Sequence, residues 1–257
     1  MAAETVRKAE ALTAFLKVPV KLQSEVLDFN RAVKLEVKDL MKMVLLGKKE
    51  KTSSFLKEVY YVIPEEFFDP VYDLDFAQMC TNLSGNRSES DPASKRGNET
   101  YVRPYGWKRY GLMIRDKYPD GNAWLGTHGL RNDSEPFEWP VSYHGTSLEA
   151  AKGIFGTHYK VGANNEHGRG IYSTPKIEVA EDYAKTVERK FKSKTNGKIY
   201  SVAIQNRINP KKRVITTNED YWLVPIPEGT SDEGEREIVE SSIRPYGLLL
   251  KEVQEGN

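Results

Sequence analysis

Val141-Ser142-Tyr143-His144-Gly145-Thr146-Ser147 opens the stretch on which the reading of this 257-residue chain turns, and His167-Gly168-Arg169-Gly170-Ile171-Tyr172-Ser173-Thr174-Pro175 continues it. The alternation of Val141 and Tyr143 before His144 predicts a short strand, and Gly145 lets another molecule approach the backbone closely. Leu148, Ala151 and Ile154 are spaced as one face of a helix, with Ser147 placed to cap it. A second short strand, Gly170-Ile171-Tyr172, stops at Pro175, and residues 179–187 return to helical spacing. The unit therefore presents a histidine at one strand end, a tyrosine at another and a second tyrosine, Tyr183, one helix later.

Tyr143-His144-Gly145-Thr146, followed by Gly168-Arg169-Gly170-Ile171-Tyr172 and then by Tyr183 eleven residues after Tyr172, resembles the NAD-binding core of the ADP-ribosyltransferases of the His-Tyr-Glu type. That superfamily includes the diphtheria-toxin-like and poly(ADP-ribose) polymerase-like catalytic cores. The Tyr-Ser-Thr at 172–174 is closer to the toxin group, and Gly168-Arg169-Gly170-Ile171 to the polymerases. The resemblance implies an α+β fold with a split antiparallel sheet, NAD as a substrate, and no metal. It also implies roles. His144 would bind a ribose hydroxyl on the adenosine side, the Gly145 backbone would meet the nicotinamide carboxamide, and Thr146 completes the motif. Tyr172 and Tyr183 would enclose the nicotinamide ring, and Arg169 is a candidate for the pyrophosphate. Where the polymerases carry a serine that bonds the carboxamide, this chain has Ala180.

Breaking the bond between nicotinamide and its ribose passes through a transition state resembling an oxocarbenium ion, as in glycoside hydrolysis. The protein must supply orientation and a negative charge where positive charge develops. Glu237 is the carboxylate chosen for this, because Glu237-Ile238-Val239 resembles the Glu-Tyr-Ile that opens the corresponding strand in the family; Glu235 and Glu240 stand in reserve and Glu219 is a distant fourth. Each of these residues also has an ordinary reading. A lone histidine is more often hydrogen-bonded in a core, tyrosines pack in half-buried strands, and a glutamate in an acidic loop is usually solvated. It is the combination at this spacing that points to a dinucleotide.

Composition sets the outer limits. Apolar residues at 39% support a folded core, and 38 Lys and Arg against 37 Asp and Glu leave a net charge of +1, with no global pull toward nucleic acid or anionic membrane. The single cysteine, Cys80, excludes an internal disulfide and a thiolate metal cluster, and His128, His144, His158 and His167 lack metal-ligand spacing. With no apolar signal segment and no uncharged run of 18 residues, the chain reads as cytoplasmic, although a toxin delivered by other machinery would look the same.

Residues 1–60 read as a helical N-terminal region, with an amphipathic helix over 2–18 and a second over about 24–46, where Val26, Leu27, Val33, Val37, Leu40, Met41, Val44 and Leu45 recur at helical spacing. Residues 61–100 read as an irregular aromatic and acidic segment followed by a polar linker. Residues 101–256 then form the catalytic domain, with strands expected at 110–114, 198–205, 213–216, 221–224 and 246–253. The expected function is NAD-dependent ADP-ribosyl transfer in single units to a protein or nucleic-acid acceptor, without a membrane partner. A pseudoenzyme that binds NAD or ADP-ribosylated partners, and an RNA 2′-phosphotransferase on a related fold, are the alternatives.

Overall fold

The structure is a computed structural model that describes residues 2–46, 60–76, 95–131, 134–145, 168–184, 190–217 and 219–253. It is α+β, with most of its strands in antiparallel sheets.

Helix α1 (Ala2–Leu16) buries Ala9, Leu12 and Phe15, three residues at the spacing of one helical stripe. It ends where Lys17 turns to φ 57°, two residues before Pro19, and the Thr13 hydroxyl grips the backbone of Val20 on both sides, at 3.0 and 3.2 Å. Strands β1 (Val20–Leu22) and β2 (Ala32–Lys34) flank β3 (Tyr60–Ile63) in a small parallel sheet. Of the helix expected over 24–46, only α2 (Leu40–Leu46) is α-helical, led in by a tight turn at Val37–Asp39. The apolar spacing misleads because Leu27 is fully exposed, at 99%, and Val33 belongs to β2. Backbone pairing with β3 outweighs helical propensity there. The segment after Tyr60, expected to be irregular, holds β3, two tight turns at Pro64 and Pro70, and β4 (Leu74–Asp75).

Strands β5 (Lys95–Arg96) and β6 (Glu99–Thr100) form a hairpin through Gly97 and Asn98, both at positive φ as a two-residue mirror-image turn requires. Then come β7 (Lys108–Gly111), β8 (Val141–His144), β9 (Gly170–Ser173), helix α3 (Ile177–Ala184), β10 (Lys190–Lys192), β11 (Ile199–Ile208), β12 (Val214–Ile215) and β13 (Trp222–Pro225). Helix α4 (Asp232–Ser242) leads directly into β14 (Ile243–Val253). The main sheet runs β10-β11-β14-β7-β4, and β8 lies beside the second half of β11, where Ile204 faces His144 and Gln205 faces Tyr143. A second antiparallel sheet runs β12-β13-β9. The two sheets meet where Tyr143 and Thr174 exchange backbone hydrogen bonds of 2.7 and 2.9 Å.

The centre of the main sheet is buried on both faces. Val202, Ile204, Leu248 and Leu249 are all fully enclosed. Tyr200, Val202 and Ile204 share one face with His144, since alternate residues of a strand point the same way and Ile204 is the partner of His144. Helix α1 covers that face, with Arg7 5.3 Å from the Tyr200 ring centroid and Phe15 edge-on to the His144 imidazole at 6.0 Å. A chain of charges also ties α1 to β7 and β4: Glu4 accepts from Lys108 at 2.5 Å, and Lys8, nearly buried, lies 3.9 Å from Asp73 and 4.6 Å from the Tyr110 ring.

The Lys108 hydrogen bond holds the Glu4 carboxyl below its ordinary 4.5. A depressed carboxyl contributes stability that is complete above the unfolded value and is lost as the pH falls through the folded one. Both side chains are over a third exposed, so the gain is below about 1 kcal/mol. Melting curves should therefore show wild type more stable than Glu4→Gln at pH 6, with the difference closing below pH 4; a gap independent of pH would refute the pairing.

Candidate functional site

His144 ends β8 and Tyr172 sits third in β9, on different sheets and 28 residues apart. The structure brings them together: the Tyr172 carbonyl accepts a hydrogen bond from His144 Nδ1 at 2.6 Å. A carbonyl only accepts, so Nδ1 carries a proton in this contact. The imidazole is 4% exposed, bounded by the Phe15 edge and by β9. Its position follows from local sequence, since Val141-Ser142-Tyr143-His144 is buried throughout and pairs with β11 residue for residue.

Gly145 is needed for space. A Cβ built on it would lie 2.1 Å from the Ala180 carbonyl oxygen, so helix α3 rests directly on the glycine backbone. Ala180 is itself fully buried there. Gly170 is equally confined, with a built Cβ only 2.0 Å from the Val224 carbonyl of the neighbouring strand. The Tyr172 hydroxyl donates to the Gly168 carbonyl at 2.7 Å, and Gly168 holds φ +94°, in the region glycine alone adopts readily. Of Tyr183 the backbone is described, next to the last residue of α3; its side chain lies outside the described part, as do Thr146, His167 and the helix expected at 148–154.

The four glutamates separate. Glu237 was expected to open a strand, and it lies instead within helix α4. The helix forms because Ser231 caps it, accepting from the Gly234 amide at 3.2 Å, and because Asp232, Glu233 and Glu235 place negative charge in its first turn. Glu235, Val239 and Ser242 form its buried face. Residues two apart on an α-helix are rotated by about 200°, so Glu237 is exposed when Glu235 is buried. Glu240 pairs with Arg236 at 3.1 Å, and Arg236 in turn reaches Asp39 at 2.7 Å. Glu219 lies in the loop before β13.

No family model matches this chain, and no curated protein and no solved structure matches it. The site must be read from its own geometry.

Arg169, considered for the pyrophosphate, is an ion-pair partner of the buried Glu235 carboxylate, and its Nη1 donates to the Pro227 carbonyl at 3.3 Å. That pair and the Phe15 edge on His144 were not foreseen. Amphipathic spacing over 2–18 predicts a buried stripe but not what it packs against, and the burial of Glu235 follows from which face α4 turns inward. Among the described residues there is no group of three or more His, Cys, Asp or Glu side chains able to hold a metal ion, and no helix is long and apolar enough to cross a membrane.

Proposed function

We propose that this chain is an NAD-dependent mono-ADP-ribosyltransferase of the His-Tyr-Glu type, which cleaves the nicotinamide–ribose bond and transfers ADP-ribose to a protein or nucleic-acid acceptor. The observation that carries the reading is the 2.6 Å contact between His144 and the Tyr172 carbonyl, at the junction of the two sheets. A split pair of antiparallel sheets with a histidine and a tyrosine at adjoining strand ends is the architecture this chemistry uses in the family that the motifs resemble.

In this reading His144 binds a ribose hydroxyl on the adenosine side, the tightly packed Gly145 backbone lies against the carboxamide, and the Tyr172 ring stacks on nicotinamide with Tyr183 opposite. Such a stack contributes about 0.5–1.5 kcal/mol beyond burial. Glu237 supplies the carboxylate that stabilises the oxocarbenium-like transition state. Because the charge develops only in the transition state, Glu237→Gln should leave NAD affinity within about twofold and slow nicotinamide release by about 10²-fold. Labelled NAD incubated with wild type and a cell lysate, followed by protease or nuclease digestion, would identify the acceptor polymer.

A second reading, a module that binds NAD or ADP-ribosylated partners without chemistry, is favoured by one observation: Glu237 is exposed on the outer side of α4. It predicts NAD binding by wild type with no nicotinamide release for the substitution to abolish.

A further inference from the structure

We propose that Arg169 and Glu235 are positioning residues for Tyr172, acting through the Gly168 carbonyl; the inference rests on the NAD reading of that ring. The Tyr172 hydroxyl has its acceptor four residues back along the chain, at Gly168. What fixes Gly168 is its neighbour. The Arg169 carbonyl accepts from the Ile226 amide at 2.8 Å, Nη1 reaches the Pro227 carbonyl, and Nη2 pairs with the Glu235 carboxylate. Glu235 is in turn held in the first turn of α4, its amide donating to the Ser231 carbonyl at 2.8 Å, and it is 5% exposed.

Each link has a physical reason. On the far side of Arg169 the chain cannot yield, because Gly170 has no room to move toward Val224. On the near side, no atom of the described residues comes closer than 3.9 Å to the Cβ position of Gly168, and glycine is conformationally the most permissive residue type. The backbone freedom of glycine would by itself let that carbonyl swing. An ion pair with one partner buried and the other only 32% exposed is screened far less than a surface pair, so it restrains the adjoining peptide. The route therefore runs from α4 through Glu235 and Arg169 to the Gly168 carbonyl and the phenol of Tyr172. Neither charged residue is assigned a contact with the reacting bond, which distinguishes this role from pyrophosphate binding for Arg169 and from general catalysis for Glu235.

The test uses the full chain with 3-fluorotyrosine at position 172, read by ¹⁹F NMR, alongside NAD binding and nicotinamide release. Glu235→Gln and Arg169→Met should both shift or broaden the 172 resonance. Both should also weaken NAD binding by about five- to tenfold, the worth of one neutral hydrogen bond such as that of the Tyr172 hydroxyl, with the rate of release at saturating NAD within twofold of wild type. Tyr172→Phe, which keeps the ring and loses the anchor, should weaken binding similarly, and adding Glu235→Gln to it should cost little more. If Arg169→Met, which strands the Glu235 carboxylate, fails to fold, the double variant Arg169→Met/Glu235→Gln leaves no buried charge and is read in its place. An unmoved resonance in the folded variants, or full additivity with Tyr172→Phe, overturns the proposal. If wild-type fluorotyrosine 172 does not respond to NAD, the dinucleotide reading has failed, and the resonance in the variants still decides whether the ion pair sets the ring.

Discussion

Gly170→Ala should lower the melting temperature by roughly 10 °C, and Gly145→Ala by a similar amount. The added methyl of Gly170→Ala would stand 2.0 Å from the Val224 carbonyl and 2.7 Å from Leu223 Cδ1, inside the pairing of β9 with β13. At Gly145 the obstacle is the Ala180 carbonyl at 2.1 Å, so the strand bearing His144 or the helix behind it must move. Backbone atoms held by sheet and helix hydrogen bonds cannot step aside as a flexible side chain does. Overpacking of this kind costs about 3 kcal/mol or more, and in a chain of this size each kcal/mol is worth about 2–4 °C. Gly197→Ala is the control: that glycine has φ +72° and no atom of the described residues within 4 Å of its Cβ position, so the change adds chiefly the strain of a left-handed residue, about 1 kcal/mol. A thermal melt decides between them. If Gly170→Ala and Gly145→Ala melt within about 2 °C of wild type, the two glycines are not where the architecture places them.

The second large effect lies on the opposite face of the main sheet from α1. Arg207, fully buried on β11, donates from Nη1 to the Trp139 carbonyl at 2.7 Å, and its Nη2 lies 2.7 Å from Glu138 Oε2. Glu138 has no exposed side-chain surface and also faces Arg96 Nε at 3.9 Å. Burial pushes the Glu138 carboxyl above its ordinary value, against the pull of Arg207. Arg207→Met removes the closer cation and leaves that carboxylate with only the distant one. Breaking one side of a buried ion pair costs about 3–5 kcal/mol, and urea unfolding should show the midpoint falling accordingly. The double variant Arg207→Met/Glu138→Gln should recover part of the loss, because no buried charge is then stranded. A double variant as unstable as the single one would mean that Arg207 acts through packing on Tyr246, 5.2 Å from its guanidinium, and not through charge.

The contrast between α4 and β8 shows where reading along the chain succeeds. Alternation over Val141–His144, Gly170–Ser173, Trp222–Pro225 and the long apolar runs of β11 and β14 is a property of neighbouring residues, and each of those strands forms close to where it was expected. Helix α3 likewise follows its own spacing. The carboxylate strand did not form, although the signal for a helix was present: Ser231 followed by acids at 232, 233 and 235 is a helix start. The error over 24–46 had another origin, since β2 exists only because β3, contributed from residue 60 onward, lies beside it.

Taken alone, the sequence determined the α+β class, the strand carrying His144 and the strand carrying Tyr172, because periodicity acts over a few residues; that Gly145 makes room for helix α3 of the same chain was decided by packing. Tertiary structure alone decided that the His144 imidazole meets the Tyr172 carbonyl, that Phe15 from the first helix lies against that imidazole, and that α4 turns Glu235 inward toward Arg169 and Glu237 outward. Those outcomes depend on which surfaces bury one another across gaps of 28 to 129 residues, as between His144 and Tyr172 or Phe15 and His144. No local pattern carries that information, since the free energy of burial belongs to the pair of surfaces and not to either segment.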